Sequence, residues 1–221
     1  MAQHGIKEHS HGDVPIQTRN ERPRSTTVSD FPEVSKLQEI WRYLPMDRLN
    51  ELDAEVIGEV TDEEIQIELA TGVSANWIES TSKPVGSAGL PEDRISAIAW
   101  TNASKTLLVE VPENLEVAEP TFLKLDLGEI GAKAVHIFVR AGANSKATVV
   151  LDHTGSGSLA ENVEIVLDSG AKLDFVSIQD WNRGSAHVST QFTRLGKDST
   201  LKHVVVSLGG DLVRVTPSAA L

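Results

Sequence analysis

The sequence predicts a mainly β chain of stacked short strands, introduced by a short α-helical N-terminal region. Three observations point there. Short β-prone runs begin near Thr106, Thr121, Ala134, Ala147, Val163, Leu173, His187, Leu201 and Leu212, separated by turn material such as Ala141-Gly142-Ala143-Asn144, Gly155-Ser156-Gly157 and Asp168-Ser169-Gly170. Alternate starts lie 24 to 29 residues apart, inside the ~20–45-residue unit of solenoids. No helical segment of a dozen residues lies between the runs, which excludes a βαβ sheet. Two architectures stay open. A β-sandwich would carry shorter, more even hairpin loops and Asn-Gly or Asp-Gly signals. A parallel β-helix accounts for the two-strand period without tight hairpins.

The elements follow in chain order. Residues 1–29 hold three histidines and several Arg, Ser and Thr with almost no apolar periodicity, the texture of a loosely ordered arm. Residues 30–105 form the N-terminal region and an ordered connection. There Asp30 is placed to cap a helix, Pro32 fits its first turn and Glu33 sits at the capping-box offset. Val34, Leu37, Ile40, Trp41 and Leu44 then recur at three- and four-residue steps. Pro45 interrupts them, and Met46, Leu49 and Leu52 continue, so a kinked helix or two short helices are expected over 31–53. Ile65, Ile67 and Leu69 alternate as in a strand, and residues 71–105 read as a long Ser-, Gly-, Pro- and Ala-rich connection. Residues 106–221 carry the repeating strands; Val163, Ile165 and Leu167 share one face, Glu164 and Val166 the other.

Composition narrows the function. The 221 residues are 40% hydrophobic, enough for a substantial core. They include no cysteine, which removes disulfides, thiolate metal sites and a cysteine nucleophile. Net charge is −12, and residues 30–70 alone hold 12 acids against three bases. No basic patch exists, so nucleic acid is not an expected partner. Apolar runs fall short of the ~18–20 residues of a membrane span. The N-terminus Met1-Ala2-Gln3-His4-Gly5 shows no signal-peptide character, and a cytoplasmic protein is expected.

Candidate sites weigh little one by one. Asp152-His153-Thr154-Gly155-Ser156 contains the residue types of a hydrolytic triad, but neighbours on a strand face opposite ways, and a polar turn after residues 147–151 is the better reading. His4, His9 and His11 could chelate a metal only weakly from an unstructured tail. His203 shares parity with Leu201 and Val205 and reads as a buried, hydrogen-bonded histidine rather than a ligand. His187 is expected to face solvent, and His136 to face out with Phe138 on a covered or partner-binding face. Asn102-Ala103-Ser104 matches a glycosylation acceptor that a cytoplasmic chain would not use. Ser207-Leu208-Gly209-Gly210-Asp211 lacks the lysine of a phosphate loop and reads as a turn. No catalytic, cofactor or metal residue is assigned, and no enzyme is expected from this chain alone.

Four segments in order resemble the SufB/SufD family of iron–sulfur cluster assembly proteins, on the SufD side. They are Glu39-Ile40-Trp41-Arg42-Tyr43-Leu44-Pro45-Met46-Asp47-Arg48-Leu49; Val139-Arg140-Ala141-Gly142-Ala143 followed by Ala147-Thr148-Val149-Val150-Leu151-Asp152-His153; Val176-Ser177-Ile178-Gln179-Asp180-Trp181; and Ser207-Leu208-Gly209-Gly210-Asp211-Leu212-Val213-Arg214. The resemblance implies helices followed by a right-handed parallel β-helix, which favours the solenoid over the sandwich. It also implies a non-catalytic scaffold subunit that pairs with SufB through their β-helices and docks the ATPase SufC. The iron–sulfur cluster would be built by that complex, not held by this chain alone, and the cysteine ligand attributed to the cluster belongs to SufB. Family members are expected to run to about twice this length. The β-helix is therefore expected to be incomplete at its C-terminal end, without the SufC-docking region or the family's cluster-associated histidine, and with an open edge inviting self-association. The alternative reading is a carbohydrate-binding or carbohydrate-processing β-solenoid, which would need paired carboxylates and exposed aromatics on one face.

Overall fold

A computed structural model describes residues 23–128 and 131–220. In chain order the strands are β1 (Gly58–Glu59), β2 (Ile65–Glu68) and β3 (Ser74–Glu79), then helix α1 (Arg94–Asn102), then β4 (Lys105–Val111), β5 (Thr121–Leu127), β6 (Ala132–Ala141) and β7 (Lys146–Gly155). The series continues with β8 (Ser158–Leu167), β9 (Lys172–Trp181), β10 (Ala186–Leu195), β11 (Thr200–Ser207) and β12 (Leu212–Ala220). From β4 onward, strands alternate between two sheets. One runs β12-β10-β8-β6-β4, the other β11-β9-β7-β5, and every neighbouring pair is parallel. This is a parallel β-solenoid of about four turns. β2 and β3 add antiparallel to β5 and β4 and extend the two sheets at the first turn.

The register explains why periodicity was readable. Partners across one turn are offset by 26, 28 or 30 residues, as in His136↔Asn162, Thr121↔Val149 and Thr106↔His136. Every offset is even, so side-chain parity survives each turn. Odd-numbered positions point inward throughout: Leu107, Leu123, Ile137, Leu151, Val163 and Phe175 all belong to one buried cluster between the sheets. Val163, Ile165 and Leu167 lie there as expected. Gly155 turns the chain from β7 toward β8 at φ +100°, and a Cβ there would sit 2.3 Å from the Leu127 carbonyl oxygen.

The outer faces of the two sheets differ. β7 and β9 alternate buried with more exposed positions, whereas β8 is buried at all ten residues. The cover over β6, β8 and β10 comes from α1 and the segments around it, with Trp41, Leu52, Ile95 and Ala99 packed on Ala160, Ala186 and Val188. Asp93 caps α1 by accepting the Ser96 N–H at 2.9 Å.

Two expectations change before the solenoid. The stripe over 31–53 forms isolated 3₁₀ turns at Glu39–Trp41 and Met46–Arg48 rather than α-helices. Pro45 lacks an N–H and disfavours helix at Leu44, and Asn50 and Glu51 take positive φ. The α-helix lies instead inside the stretch read as a connection, as does β3. Residues 24–26 are fastened to that region, with the Ser25 N–H on the Pro91 carbonyl and the Thr101 hydroxyl on the Thr26 carbonyl.

Candidate functional site

The solenoid interior is apolar between its first turns and becomes polar further along. The inward positions of β9 read Leu173, Phe175, Ser177, Gln179 and Trp181, and those of β10 read His187, Ser189, Gln191 and Thr193. Register stacks His153 of β7 beside Gln179 of β9, and Glu161 of β8 beside Ser189 of β10. Glu161, His153, His187, Ser177, Gln179, Ser189 and Gln191 are all withdrawn from solvent. Buried polar groups must find partners, and these largely do so among themselves. Gln179 Nε2 donates to Ser177 Oγ at 2.7 Å, and Gln191 Nε2 donates to Ser189 Oγ at 3.2 Å.

Glu161 is the centre. Its Oε1 lies 2.8 Å from His153 Nε2, and its Oε2 accepts the Ser189 hydroxyl at 2.6 Å. His187 Nε2 stands 3.3 Å from the same Oε2. The other nitrogen of His153, Nδ1, donates to the Ile178 carbonyl at 2.7 Å. Both nitrogens of His153 thus face acceptors. Burial pushes its pKa down, but the Glu161 charge and hydrogen bond, with the Ile178 carbonyl, outweigh burial and raise it. Burial likewise opposes ionisation of Glu161, yet His153 and His187 hold its carboxyl well below the ordinary carboxylate range. His153 is therefore the imidazolium partner of an ionised Glu161. His187 is pushed the other way, by burial and by the neighbouring His153 charge against the pull of Glu161. The Trp181 indole N–H donates to His187 Nδ1 at 3.2 Å, which places the proton of the neutral ring on Nε2. Among the described residues, His153, Glu161 and His187 form the one group of three such ligand side chains whose donor atoms lie within 4.8 Å of one another.

This corrects several sequence expectations. His153 sits inside strand β7, not in a turn. Asp152 and His153 do point to opposite faces, and Ser156 instead accepts the Asn182 amide, so the five-residue match does not converge. The serine near the cluster is Ser189, whose hydroxyl donates to Glu161 rather than to a histidine, unlike a nucleophile–base pair. His187 is buried, not solvent-facing, because odd parity carries it inward. His136 and Phe138 do share the outer face, which is covered: Trp100 lies against the His136 ring at 4.4 Å, and His136 Nε2 is 3.1 Å from Glu164. His203 is half-buried, with no partner on Nε2, and meets the Phe175 ring edge-on at 5.3 Å instead of hydrogen-bonding. Asn102 is engaged by Ile57, Glu55 and Ile98. Ser207–Asp211 is the bend after β11 that was expected, and His4, His9 and His11 lie outside the described residues. Glu161 and Glu164 were not singled out from the sequence. The available signal was a carboxylate at an inward position of Leu159-Ala160-Glu161-Asn162-Val163, where apolar parity demands a partner.

The solenoid also matches known proteins. Residues 126–221 match the family model described as the SUF system FeS cluster assembly SufBD core domain. An iron–sulfur cluster assembly SufBD family protein of Mycobacterium tuberculosis is 37% identical over 182 residues, covering 80% of this chain and 45% of that protein. One from Mycobacterium leprae is 34% identical over 196 residues, covering 87% of this chain and 49% of that protein. The chain thus spans about half the length of the curated relatives it matches. The matched core coincides with the parallel strands from the end of β5 through β12, and it is in this solenoid that the chain is similar to the SufBD family of iron–sulfur cluster assembly proteins.

Proposed function

We propose that the chain acts as a non-catalytic, SufD-like scaffold subunit in iron–sulfur cluster assembly, with the cluster as cargo. The observation that carries the reading is the coincidence of the matched SufBD core, residues 126–221, with the stacked parallel strands. Strands paired on both sides form a stiff body suited to holding other subunits at fixed spacing. In this reading residues 106–221 are the solenoid unit, residues 30–105 its cover, and the partner of this segment is a SufB-like β-helix, the SufC-like ATPase being a partner of the full-length family. No helix among the described residues is long and apolar enough to cross a membrane, and we place the assembly in the cytoplasm.

The test is capture of the tagged chain co-expressed with the SufB and SufC proteins of the same genome. Stoichiometric co-elution of the SufB protein supports the scaffold reading. Elution of the chain alone, together with retention on immobilised glycans, would replace it with the carbohydrate reading.

A further inference from the structure

We propose that His153, Glu161 and His187 form an interior site for one divalent first-row transition ion. The proposal is independent of the assembly role. The three side chains come from three strands, β7, β8 and β10, and their donor atoms lie within 4.8 Å of one another. Bonds of about 2.0–2.2 Å to nitrogen and oxygen bring such atoms under one ion with a sub-ångström closure. Two imidazoles and a carboxylate suit Fe²⁺, Zn²⁺ or Co²⁺ and leave coordination positions open.

The surroundings resemble the outer shell of a metal centre. His153 presents Nε2 to the cluster while its Nδ1–H is fixed on the Ile178 carbonyl, the arrangement that orients metal-bound histidines. Glu161 Oε2 is held by the Ser189 hydroxyl. Two polar atoms in the same interior lack a partner: His187 Nε2, which lies near Oε2 without an aligned hydrogen bond, and Gln191 Oε1. Unpaired buried polar atoms are costly, and an ion with a bound water would satisfy both. β7 and β8 are each paired on both sides, so the ligands stand on rigid backbone.

Two contacts oppose the ion. The first is the His153 Nε2–H on Glu161 Oε1, a proton that the ion must displace and that leaves to solvent on binding. In the second, the Trp181 indole N–H donates to His187 Nδ1, which keeps the ring proton on Nε2. An ion on Nε2 requires that proton on Nδ1, where it would face the indole N–H. Trp181 is thus a positioning residue that holds His187 in the tautomer unable to bind. Removing its N–H should strengthen metal binding, whereas loss of packing alone would weaken it.

The experiment uses the full 221-residue chain with His4, His9 and His11 changed to Asn, because these are the sequence's other clustered imidazoles. The site is closed to solvent, so the protein is refolded with Co²⁺ or Zn²⁺, desalted, and its metal content measured alongside the visible cobalt spectrum. One ion per chain, with the spectrum of a low-coordinate cobalt site, is expected. Glu161→Gln and His187→Gln should each lower affinity at least about tenfold, and Trp181→Phe should raise it several-fold. No retained ion, or retention indifferent to Glu161→Gln and His187→Gln, overturns the proposal. Should Glu161→Gln fail to refold, the other two variants decide. Opposite shifts in His187→Gln and Trp181→Phe support the site, and shifts of the same sign overturn it.

Discussion

Glu164 holds the covering segment to the outer face of β8 with one carboxylate. Its Oε1 accepts the Gly86 N–H at 2.7 Å and Oε2 the Ala88 N–H at 2.9 Å, while His136 Nε2 stands 3.1 Å away. Glu164→Ala strands all three, and at ~1–3 kcal/mol for each unpaired group, softened by rearrangement, the loss should be about 3–5 kcal/mol. Urea denaturation measures it, and hydrogen exchange should show residues 86–88 opening before the strands. An unchanged midpoint would mean the segment is held elsewhere. His203 supplies a second prediction. Burial depresses its pKa below the ordinary 6.5, so it stays neutral in the fold while the unfolded chain takes up a proton. The unfolded state then binds more protons below about pH 6.5, and stability falls as pH drops through that range. His203→Phe, which keeps the contact with Phe175, should flatten the dependence of melting temperature between about pH 7 and pH 5. Parallel curves for the two proteins would contradict this. Both residues show where sequence reading stopped. Alternation told which side chains share a face, and the outward Phe138 pointed to a covered or partner-binding face, but not which segment covers it or that odd parity takes His187 inward.

The cover itself was the least legible element. α1 is nine residues long and lies in a stretch whose Ser, Gly, Pro and Ala content reads as connection. Its Ile95, Ile98 and Ala99 do follow helical spacing, but over fewer than three turns the signal is short. Small residues are what such close packing needs: Ser96 donates to Asn162 Oδ1 at 2.6 Å, and the Asn162 amide returns a bond to the Ser96 carbonyl at 2.9 Å. The sequence reads as α-helix where the structure has the Glu39–Trp41 3₁₀ turn, yet it does mark the residue that anchors that turn. Trp41 is 1% exposed, packed with Leu44 and Leu52, and the Arg214 guanidinium lies 4.3 Å from its ring centre. Trp41→Ala should cost about 3–5 kcal/mol. Leu37, expected on the same docking stripe, is 94% exposed: it lies in the turn before the 3₁₀ segment, ahead of an extended Gln38, so no helix carries it onto the face of Trp41. Leu37→Ala should therefore change stability by less than about 0.5 kcal/mol. Chemical denaturation of the pair checks the assignment, and equal losses would restore the helical stripe.

At the scale of the whole molecule, a single rule joins sequence to fold: the chain returns to register after an even number of residues. The 24–29-residue spacing in the sequence anticipates the 26, 28 and 30 of the structure because loops blur strand starts but not paired positions. The interior cluster escaped the same reading because His153, Glu161 and His187 come from three different strands, so no local motif joins them. Inward parity makes the strongest prediction about the solenoid. Ile165 is fully buried, stacked in register between Val139 of β6 and Thr193 of β10. Ile165→Asp removes ~1.5–3 kcal/mol of apolar burial and adds the larger cost of an unpaired buried carboxylate. A chain of this size has roughly 5–15 kcal/mol of stability in total. β8 lies between two neighbours, and solenoid stability is largely the sum of such interfaces, so both are lost together. Circular dichroism should show no cooperative melt for Ile165→Asp. Val205→Asp is the control: it has the same parity, but Val205 is 41% exposed on β11, and a charge there stays hydrated. It should melt as the parent does, to within about 1 kcal/mol. A normal transition for Ile165→Asp, or collapse of both variants alike, would mean that burial of the inward position does not govern what the solenoid tolerates.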